Sequence, residues 1–318
     1  MAALGAAAVV PLLAVGAIYA QKAASGPPPR HESYSRPQAP SAPRICTAPS
    51  DPALASRLSA DLGAVLQRRS STVALAVDGR RAGLRCELGS AWRLDSASLV
   101  KLTILAALLR RHMEEHRYLT QDELNLTAAM ITASDGSATS ALWQRLGRGG
   151  LQHFLTVSGM THTIPGPGGY WGLTQLTAGD EMTLLNLLTT ANSVLDGPSR
   201  EYAQNLISDV IPSQHWGVPA GAPGGLTVGV QDGWMPRRPG DWRVNSIGVF
   251  TGRSGDYEIV VLTRDNSTMA YGATTIEDAA EVIHRDLNPG APAAIPPSTI
   301  APSQQTPDEE LPPLPQDP

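Results

Sequence analysis

The alternation of apolar and polar positions divides the chain into two groups of strands separated by a long helical block. An amphipathic helix is predicted over 52–69, where leucines and a valine recur at the spacing of one helix face. Two short apolar segments follow at 72–77 and Leu84–Leu88, with Asp78 and Gly79 between them. This pattern is typical of a β-hairpin.

A long stretch with helical periodicity comes next. The predicted helices cover 98–116, 120–133, 137–147, 149–158, 178–190 and 198–211. Strands rich in valine and isoleucine return at 226–231, 243–251 and 257–264, and a last amphipathic helix covers 275–287. This order predicts an α/β (α+β) domain in which both halves of the chain build one sheet, with helices on both faces.

The two ends of the chain lack this periodicity. Residues 1–20 form an uncharged, alanine-rich apolar run, typical of a signal peptide or an N-terminal membrane anchor, although the usual preceding basic residues are missing. Residues 21–45 are predicted to be a proline-rich linker, and 289–318 a proline-rich, acidic, disordered tail. The folded domain is therefore predicted to span 46–288. We expect an exported bacterial protein, secreted or anchored on the outer side of the cytoplasmic membrane.

Composition limits the classes of function. The 318 residues are 42% hydrophobic and 17% charged, which is enough for a sizeable core. A net charge of −5 and only 5% aromatic residues offer neither a basic surface nor a stacking platform for nucleic acid. A disulfide between Cys46 and Cys86 would suit an oxidising compartment. Two unpaired buried thiols are the alternative.

One lysine stands out against an arginine-rich background. The chain has 22 arginines and two lysines, Lys22 beside the leader and Lys101. Arginine cannot lose its proton in a protein, whereas a desolvated lysine can. Ser98 and Lys101 are three residues apart at the start of a helix that is apolar nearly all round, so they share a face of a buried helix. This spacing predicts a serine nucleophile with a lysine base. The alternative is an ordinary helix start with a snorkelling lysine.

Two further motifs follow, one at a predicted helix end and one on a predicted strand. They are Ser134, Asp135 and Gly136, and Gln231, Asp232, Gly233 and Trp234. In this order the three motifs resemble the active-site serine β-lactamases and penicillin-binding proteins, whose signature is S-x-x-K, S-D-N and K-T-G. Class A β-lactamases are the most similar branch. The resemblance implies a mainly antiparallel, five-stranded sheet flanked by helices, with an inserted all-helical subdomain.

The resemblance also implies roles for these residues. Ser98 is expected to be acylated, Lys101 to act as its base, and Ser134 to pass a proton to the leaving nitrogen. The backbone N–H groups of Ser98 and Trp234 would form an oxyanion hole. Gly233 would leave room for a substrate along the strand. The expected substrate is a β-lactam or a peptidoglycan peptide, bound by a monomer without a cofactor. No metal is expected either, because the H-x-x-E-H pattern at 112–116 lies at the polar end of a helix.

Several motif residues depart from the family pattern. The family's asparagine, lysine and hydroxyl residue are replaced by Gly136, Gln231 and Asp232. These positions and Asp135 are still expected to contact substrate. A β-lactam carries a carboxylate beside the strand motif, and Asp232 would repel it unless an arginine compensates. Arg243 is the preferred candidate, ahead of Arg237 and Arg238.

The loop at 161–177 is long, rich in glycine and proline, and typical of a functional loop. It contains no acid, whereas class A enzymes resemble one another in carrying a glutamate there that activates the deacylating water. Asp180 and Glu181 are predicted to lie in the first turn of the next helix. Deacylation is therefore expected to be slow. The open alternatives are a D,D-peptidase or esterase, and a non-hydrolytic protein that binds β-lactams or muropeptides.

Overall fold

The computed structural model describes residues 45–80, 83–252 and 255–299. The predicted leader, nearly all of the predicted linker and the final part of the predicted tail lie outside the described residues. None of the helices in the described part of the chain is long and apolar enough to cross a lipid bilayer.

The described residues form seven α-helices and eight strands. The helices are α1 (Pro52–Leu66), α2 (Val100–Glu114), α3 (Gln121–Thr132), α4 (Gly136–Ser158), α5 (Ala178–Thr189), α6 (Gly197–Ser208) and α7 (Met269–Leu287). The strands are β1 (Cys46–Thr47), β2 (Thr72–Gly79), β3 (Leu84–Leu88), β4 (Leu94–Asp95), β5 (Gln175–Leu176), β6 (Thr227–Arg238), β7 (Asp241–Thr251) and β8 (Tyr257–Asn266).

Six of the strands form one antiparallel sheet in the order β1-β3-β2-β8-β7-β6. The N- and C-terminal halves of the chain meet where β2 pairs with β8, as the sequence predicts. The sixth strand, beyond the five expected, is the two-residue β1. The remaining two strands, β4 and β5, form a separate short ladder. Within the described sheet β6 is an edge strand, with β7 as its one strand partner.

Helices cover both faces of the sheet. Neighbouring residues of β2 point to opposite sides of the sheet. Ala74 belongs to the core under the helical subdomain, which consists of α2 to α6, and Leu75 to the core under α1 and α7. Leu58 of α1 and Ile276 of α7 fill the second core. The predicted mixed fold with an inserted helical subdomain is confirmed.

Strand pairing moves several predicted boundaries. Asp78 and Gly79 lie inside β2 instead of forming the turn, because Gly79 pairs with Leu84 on one side and Tyr257 on the other. Pairing with β7 likewise extends β6 beyond the predicted 226–231. Backbone partners on neighbouring strands therefore outweigh the local turn preference.

The chain continues in contact with the domain beyond the predicted boundary at 288. The backbone N–H of Gly221 donates to the carbonyl of Ile295 at 2.8 Å. The Ser298 N–H donates to Glu277 Oε1 on α7 at 3.0 Å. The first part of the predicted disordered tail is thus an ordered segment lying along α7.

Cys46 and Cys86 form a disulfide, which confirms the predicted pairing. The two residues face each other in the register of β1 and β3, and both are fully buried. The bond fastens the start of the domain to the sheet.

Replacing both cysteines by serine should lower the free energy of unfolding by about 3–4 kcal/mol, because the bond closes a loop with a sequence separation of 40 residues. Denaturant unfolding of the variant and of the oxidised wild type measures the difference. Reducing agent should destabilise the wild type alone. Equal free energies of unfolding for the double serine variant and the oxidised wild type would contradict a structural role for the disulfide.

Candidate active site

Ser98 lies in a short 3-10 turn, Ala97–Leu99, that leads directly into α2. Its side chain is buried. Ala97, immediately before it, adopts a φ of +48°, which is a left-handed conformation rare for a residue with a Cβ. Such local strain persists only where the surrounding structure enforces it, and it is concentrated at functional sites.

Lys101 lies in the first turn of α2 and has no exposed surface. Its Nζ is 2.6 Å from the carbonyl oxygen of Ser134 and 2.7 Å from the Ser134 hydroxyl. The amine also lies 5.0 Å from the ring centroid of Trp171. An ammonium group can donate to both Ser134 oxygens. A neutral amine can donate to the carbonyl and accept from the hydroxyl. Both protonation states of the amine can therefore hydrogen-bond to Ser134.

The rest of the second motif starts a helix. The Asp135 carboxylate accepts a hydrogen bond from the Ala138 N–H at 2.7 Å and caps α4, whose first residue is Gly136. Ser134 itself has a left-handed φ of +58°. The structure thus brings Ser134 to Lys101 and uses the Asp135 side chain as a helix cap. Substrate contacts of Asp135 and Gly136 stay a prediction.

Gly233 brings the third motif to the first. A Cβ at this position would lie 2.6 Å from the backbone nitrogen of Leu99 and 2.9 Å from that of Ser98. Only glycine permits so close an approach of β6 to the turn that carries Ser98. The space at Gly233, expected to admit substrate, is filled by this turn.

Neighbouring residues of β6 face opposite sides of the sheet. Gln231 shares the face of Gly233, towards Ser98. Asp232 lies on the other face, where its Oδ2 accepts from the Trp216 N–H at 3.4 Å. Trp234 packs edge-on against Trp216, with ring centroids 5.8 Å apart.

The expectation that Asp232 faces a substrate carboxylate is corrected by this register. Burial raises the pKa of Asp232 well above its ordinary 3.8, and hydrogen bonds from Ser246 and the Trp216 backbone oppose the rise. The acid is enclosed behind β6 and favours its protonated form there.

Two of the three arginines expected to compensate for Asp232 already have acidic partners. Arg243 Nε lies 3.5 Å from Asp95 Oδ2, and its guanidinium also pairs with Asp241. Arg237 Nε lies 3.2 Å from the same Asp95 oxygen. Arg238 is exposed at the end of β6. Asp95 therefore forms ion pairs with two of the three candidate arginines.

The loop at 161–177 packs against the Ser98 turn. Its strand β5 pairs with β4, and the Ser96 N–H donates to the carbonyl of Thr174 at 2.8 Å. Trp171 is buried, and its Nε1 donates to Ser140 Oγ at 3.2 Å. The functional loop expected from its length is thus part of the wall around Lys101.

Sequence reasoning missed two residues that hold this turn. Asn245 Nδ2 donates to the carbonyls of Asp95 and Ser96 at 3.0 and 3.1 Å. Trp171 is the other, through its contact with Lys101. The available signal for Asn245 was an amide side chain between Val244 and Ile247 in a predicted strand.

Of the two acids after the loop, Asp180 is hydrogen-bonded within the loop and Glu181 is buried without a partner among the described residues. Asp180 accepts from the His162 N–H at 3.0 Å and from Thr163 Oγ1 at 2.7 Å. Glu181 is fully buried, and neither of its oxygens has a hydrogen-bond partner among the described residues. Burial, reinforced by the neighbouring Asp180, raises the pKa of Glu181 to about 8. Both residues lie in the first turn of α5, as expected, with Thr177 as the cap.

The H-x-x-E-H pattern at 112–116 does not converge on one point. His112 Nε2 lies 3.1 Å from Glu123, whereas Glu115, the acid of the pattern, pairs with Arg111 and Arg117. Within the described residues no group of three or more His, Cys, Asp or Glu side chains is arranged to hold a metal ion.

Similarity to known proteins agrees with this geometry. The model of the β-lactamase enzyme family matches residues 122–287, more than half of the chain. The chain belongs to the β-lactamase enzyme family. The match covers the second and third motifs and begins after Ser98 and Lys101.

Solved structures share the β-lactamase fold at low identity. A β-lactamase from Xanthomonas campestris pv. campestris is 19% identical, with a TM-score of 0.63 over 74% of this chain and 99% of that one. A β-lactamase from Sphaerobacter thermophilus is 17% identical, with a TM-score of 0.62 over 73% and 97%. An ancestral class A β-lactamase is 20% identical, with a TM-score of 0.60 over 71% and 98%. No curated protein matches the sequence significantly.

Gly233→Ala should slow the reaction of Ser98 with a fluorophosphonate serine probe at least tenfold, because the new methyl group would push β6 away from the Ser98 turn. Gly229→Ala is the matched control on the same strand face, since its Cβ would meet only the side chain of Ile207. Probe labelling and melting temperature are measured together. A folded Gly233→Ala protein that reacts at the wild-type rate would contradict the role of this contact.

Glu181→Gln should stabilise the protein at neutral pH. The folded carboxyl has a pKa of about 8 and the unfolded one about 4.5, so the unfolded chain releases a proton that the folded chain retains. The Glu181 carboxyl therefore lowers the free energy of unfolding increasingly as the pH rises from 4.5 through 8. The loss reaches about 3 kcal/mol at pH 7. Urea unfolding at pH 4.5 and 7 should show the gain only at the higher pH. Glu201→Gln, at an exposed site on α6, is the control. An equal gain in the free energy of unfolding at pH 4.5 and at pH 7 would contradict the raised pKa of Glu181.

Proposed function

We propose that this protein is an exported serine hydrolase of β-lactamase type, in which Ser98 is acylated by the amide of a β-lactam or a cell-wall peptide. The supporting observation is the Lys101 amine. Lys101 follows Ser98 by about one helical turn and is fully buried, and its amine is hydrogen-bonded to Ser134. A buried amine that is hydrogen-bonded to one serine and lies three residues after another is suited to proton transfer.

The reaction needs one proton path. Ser98 Oγ attacks the amide carbonyl and its proton passes to Lys101. As the carbon–nitrogen bond breaks, Ser134 donates its hydroxyl proton to the leaving nitrogen and regains one from Lys101. The backbone N–H groups of Ser98 and Trp234 stabilise the oxyanion of the tetrahedral intermediate. The product of this half-reaction is an ester between Ser98 and the substrate acyl group.

Hydrolysis of that ester is proposed to be slow. The loop at 161–177 contains no Asp or Glu. Asp180, which follows it, already accepts two hydrogen bonds. Loss of a general base typically lowers a rate by about 10²–10⁴. The protein would then accumulate as an acyl-enzyme and act as a penicillin-binding protein, a slow D,D-peptidase or an esterase.

A second function, non-hydrolytic binding, is favoured by one observation. Trp171 is buried in the loop against Lys101, in the segment where the resemblance leads us to expect a water-activating acid. A site of this kind could hold a β-lactam or muropeptide without turnover. The Cys46–Cys86 disulfide supports export in both cases.

Incubation with benzylpenicillin should add the mass of one acyl group to the wild type, and the adduct should persist for minutes or longer. Ser98→Ala should carry no adduct, and Lys101→Ala should acylate about 10²–10⁴ times more slowly because the base is lost. Thr103→Val is the matched control, since Thr103 is buried on the same helix and its hydroxyl has no partner among the described residues. Intact-protein mass spectrometry over time measures each rate.

Two results would decide against acylation. One is a wild type without adduct at any penicillin concentration. The other is reversible binding of equal strength in the wild type and Ser98→Ala, which would favour the non-hydrolytic function.

A further inference from the structure

Gln231 lies in the proposed substrate site by virtue of its place on β6. Its neighbours on the same strand face are Gly229, which contacts Ile207 of α6, and Gly233, which contacts the backbone of Ser98. The side chain therefore lies between the helical subdomain and the Ser98 turn. This is the position at which the family pattern has a lysine.

The Gln231 amide is buried and only partly hydrogen-bonded. The side chain is only 4% exposed. Its Nε2 donates to the carbonyl of Asp232 at 3.3 Å, and Oε1 has no partner among the described residues. The orientation of the amide is defined by this bond, because only the nitrogen can donate to a carbonyl. A buried acceptor without a donor is costly, so a ligand that supplies a donor would gain from it.

The charges near the strand motif do not favour an anion. Arg237 and Arg243 share Asp95, and Arg243 also pairs with Asp241, so two cations face two carboxylates. A substrate carboxylate would add a third anion to this cluster and would lie near the carbonyl-type oxygen of Gln231. Both effects are unfavourable.

We propose that Gln231 selects substrates carrying an uncharged hydrogen-bond donor, such as a primary carboxamide, where a β-lactam carries its carboxylate. The inference rests on the proposed function for the location of the site. It names the substrate class of that site: amides whose recognition group is neutral. The gain comes from the donor that satisfies Gln231 Oε1 and from adding no third anion to the cluster around Asp95.

Equilibrium binding to Ser98→Ala tests this without requiring acylation. The ligands are benzylpenicillin, its methyl ester, which is neutral but has no donor at that group, and its primary carboxamide. We expect the carboxamide to bind at least tenfold more tightly than the acid, with the ester between them. Isothermal titration calorimetry measures the three dissociation constants at constant ionic strength.

A positive charge added at position 231 should reverse the order of affinity for the acid and the carboxamide. Ser98→Ala/Gln231→Lys is expected to bind the acid at least tenfold more tightly than Ser98→Ala does. Ser98→Ala/Gln231→Met should lose the preference for the carboxamide over the ester while remaining neutral. Ser98→Ala/Thr227→Lys is the control, because Thr227 is an exposed residue on the same strand and should leave the order unchanged.

The inference is overturned if the acid binds Ser98→Ala as tightly as the carboxamide, if no ligand binds, or if the lysine at position 231 leaves the order unchanged. A wild type that forms no adduct with any of the three ligands, alongside the expected binding order, would reject acylation and leave the assignment of Gln231 standing. Melting temperatures of all variants confirm that each one is folded.

Discussion

The site depends on a single buried amine. Lys101 joins the first turn of α2 to Ser134, at the boundary between α3 and α4, through two hydrogen bonds within the protein interior. A buried amine of this kind needs polar partners, which constrains the backbone around it. Both Ala97, next to Ser98, and Ser134 accept left-handed conformations that cost free energy. The surrounding packing supplies the compensation.

A second constraint is the approach of β6 to the Ser98 turn. Gly233 lets the strand touch the backbone nitrogens of Ser98 and Leu99. Asn245, on the adjacent strand, donates to the carbonyls of Asp95 and Ser96 just before the turn. The sheet thus holds the turn by its backbone from two strands. A small shift of β6 would be transmitted directly to the nucleophile, because well-packed interiors transmit strain.

Charge is distributed differently from what the three motifs suggest. Asp95 gathers Arg237 and Arg243 next to the site, and Asp232 is enclosed behind β6. Gln231 is left as the polar group of the strand motif on the Ser98 face. The groups proposed for acylation are kept, whereas the charged recognition of an anionic substrate and the water-activating acid are both altered. A neutral substrate and a long-lived acyl-enzyme are consistent with this division.

The sequence by itself determined the order of elements, the fold class and the place of Ser98 and Lys101 at the start of one helix, because helix periodicity, strand alternation and a three-residue spacing are local properties. It also identified Cys46 and Cys86 as a pair and the acids after Thr177 as first-turn residues. Tertiary structure alone decided the face of Asp232, the partners of Arg243, the close contact at Gly233 and the burial of Glu181. These depend on register and on contacts between segments far apart in the chain, which no local pattern encodes.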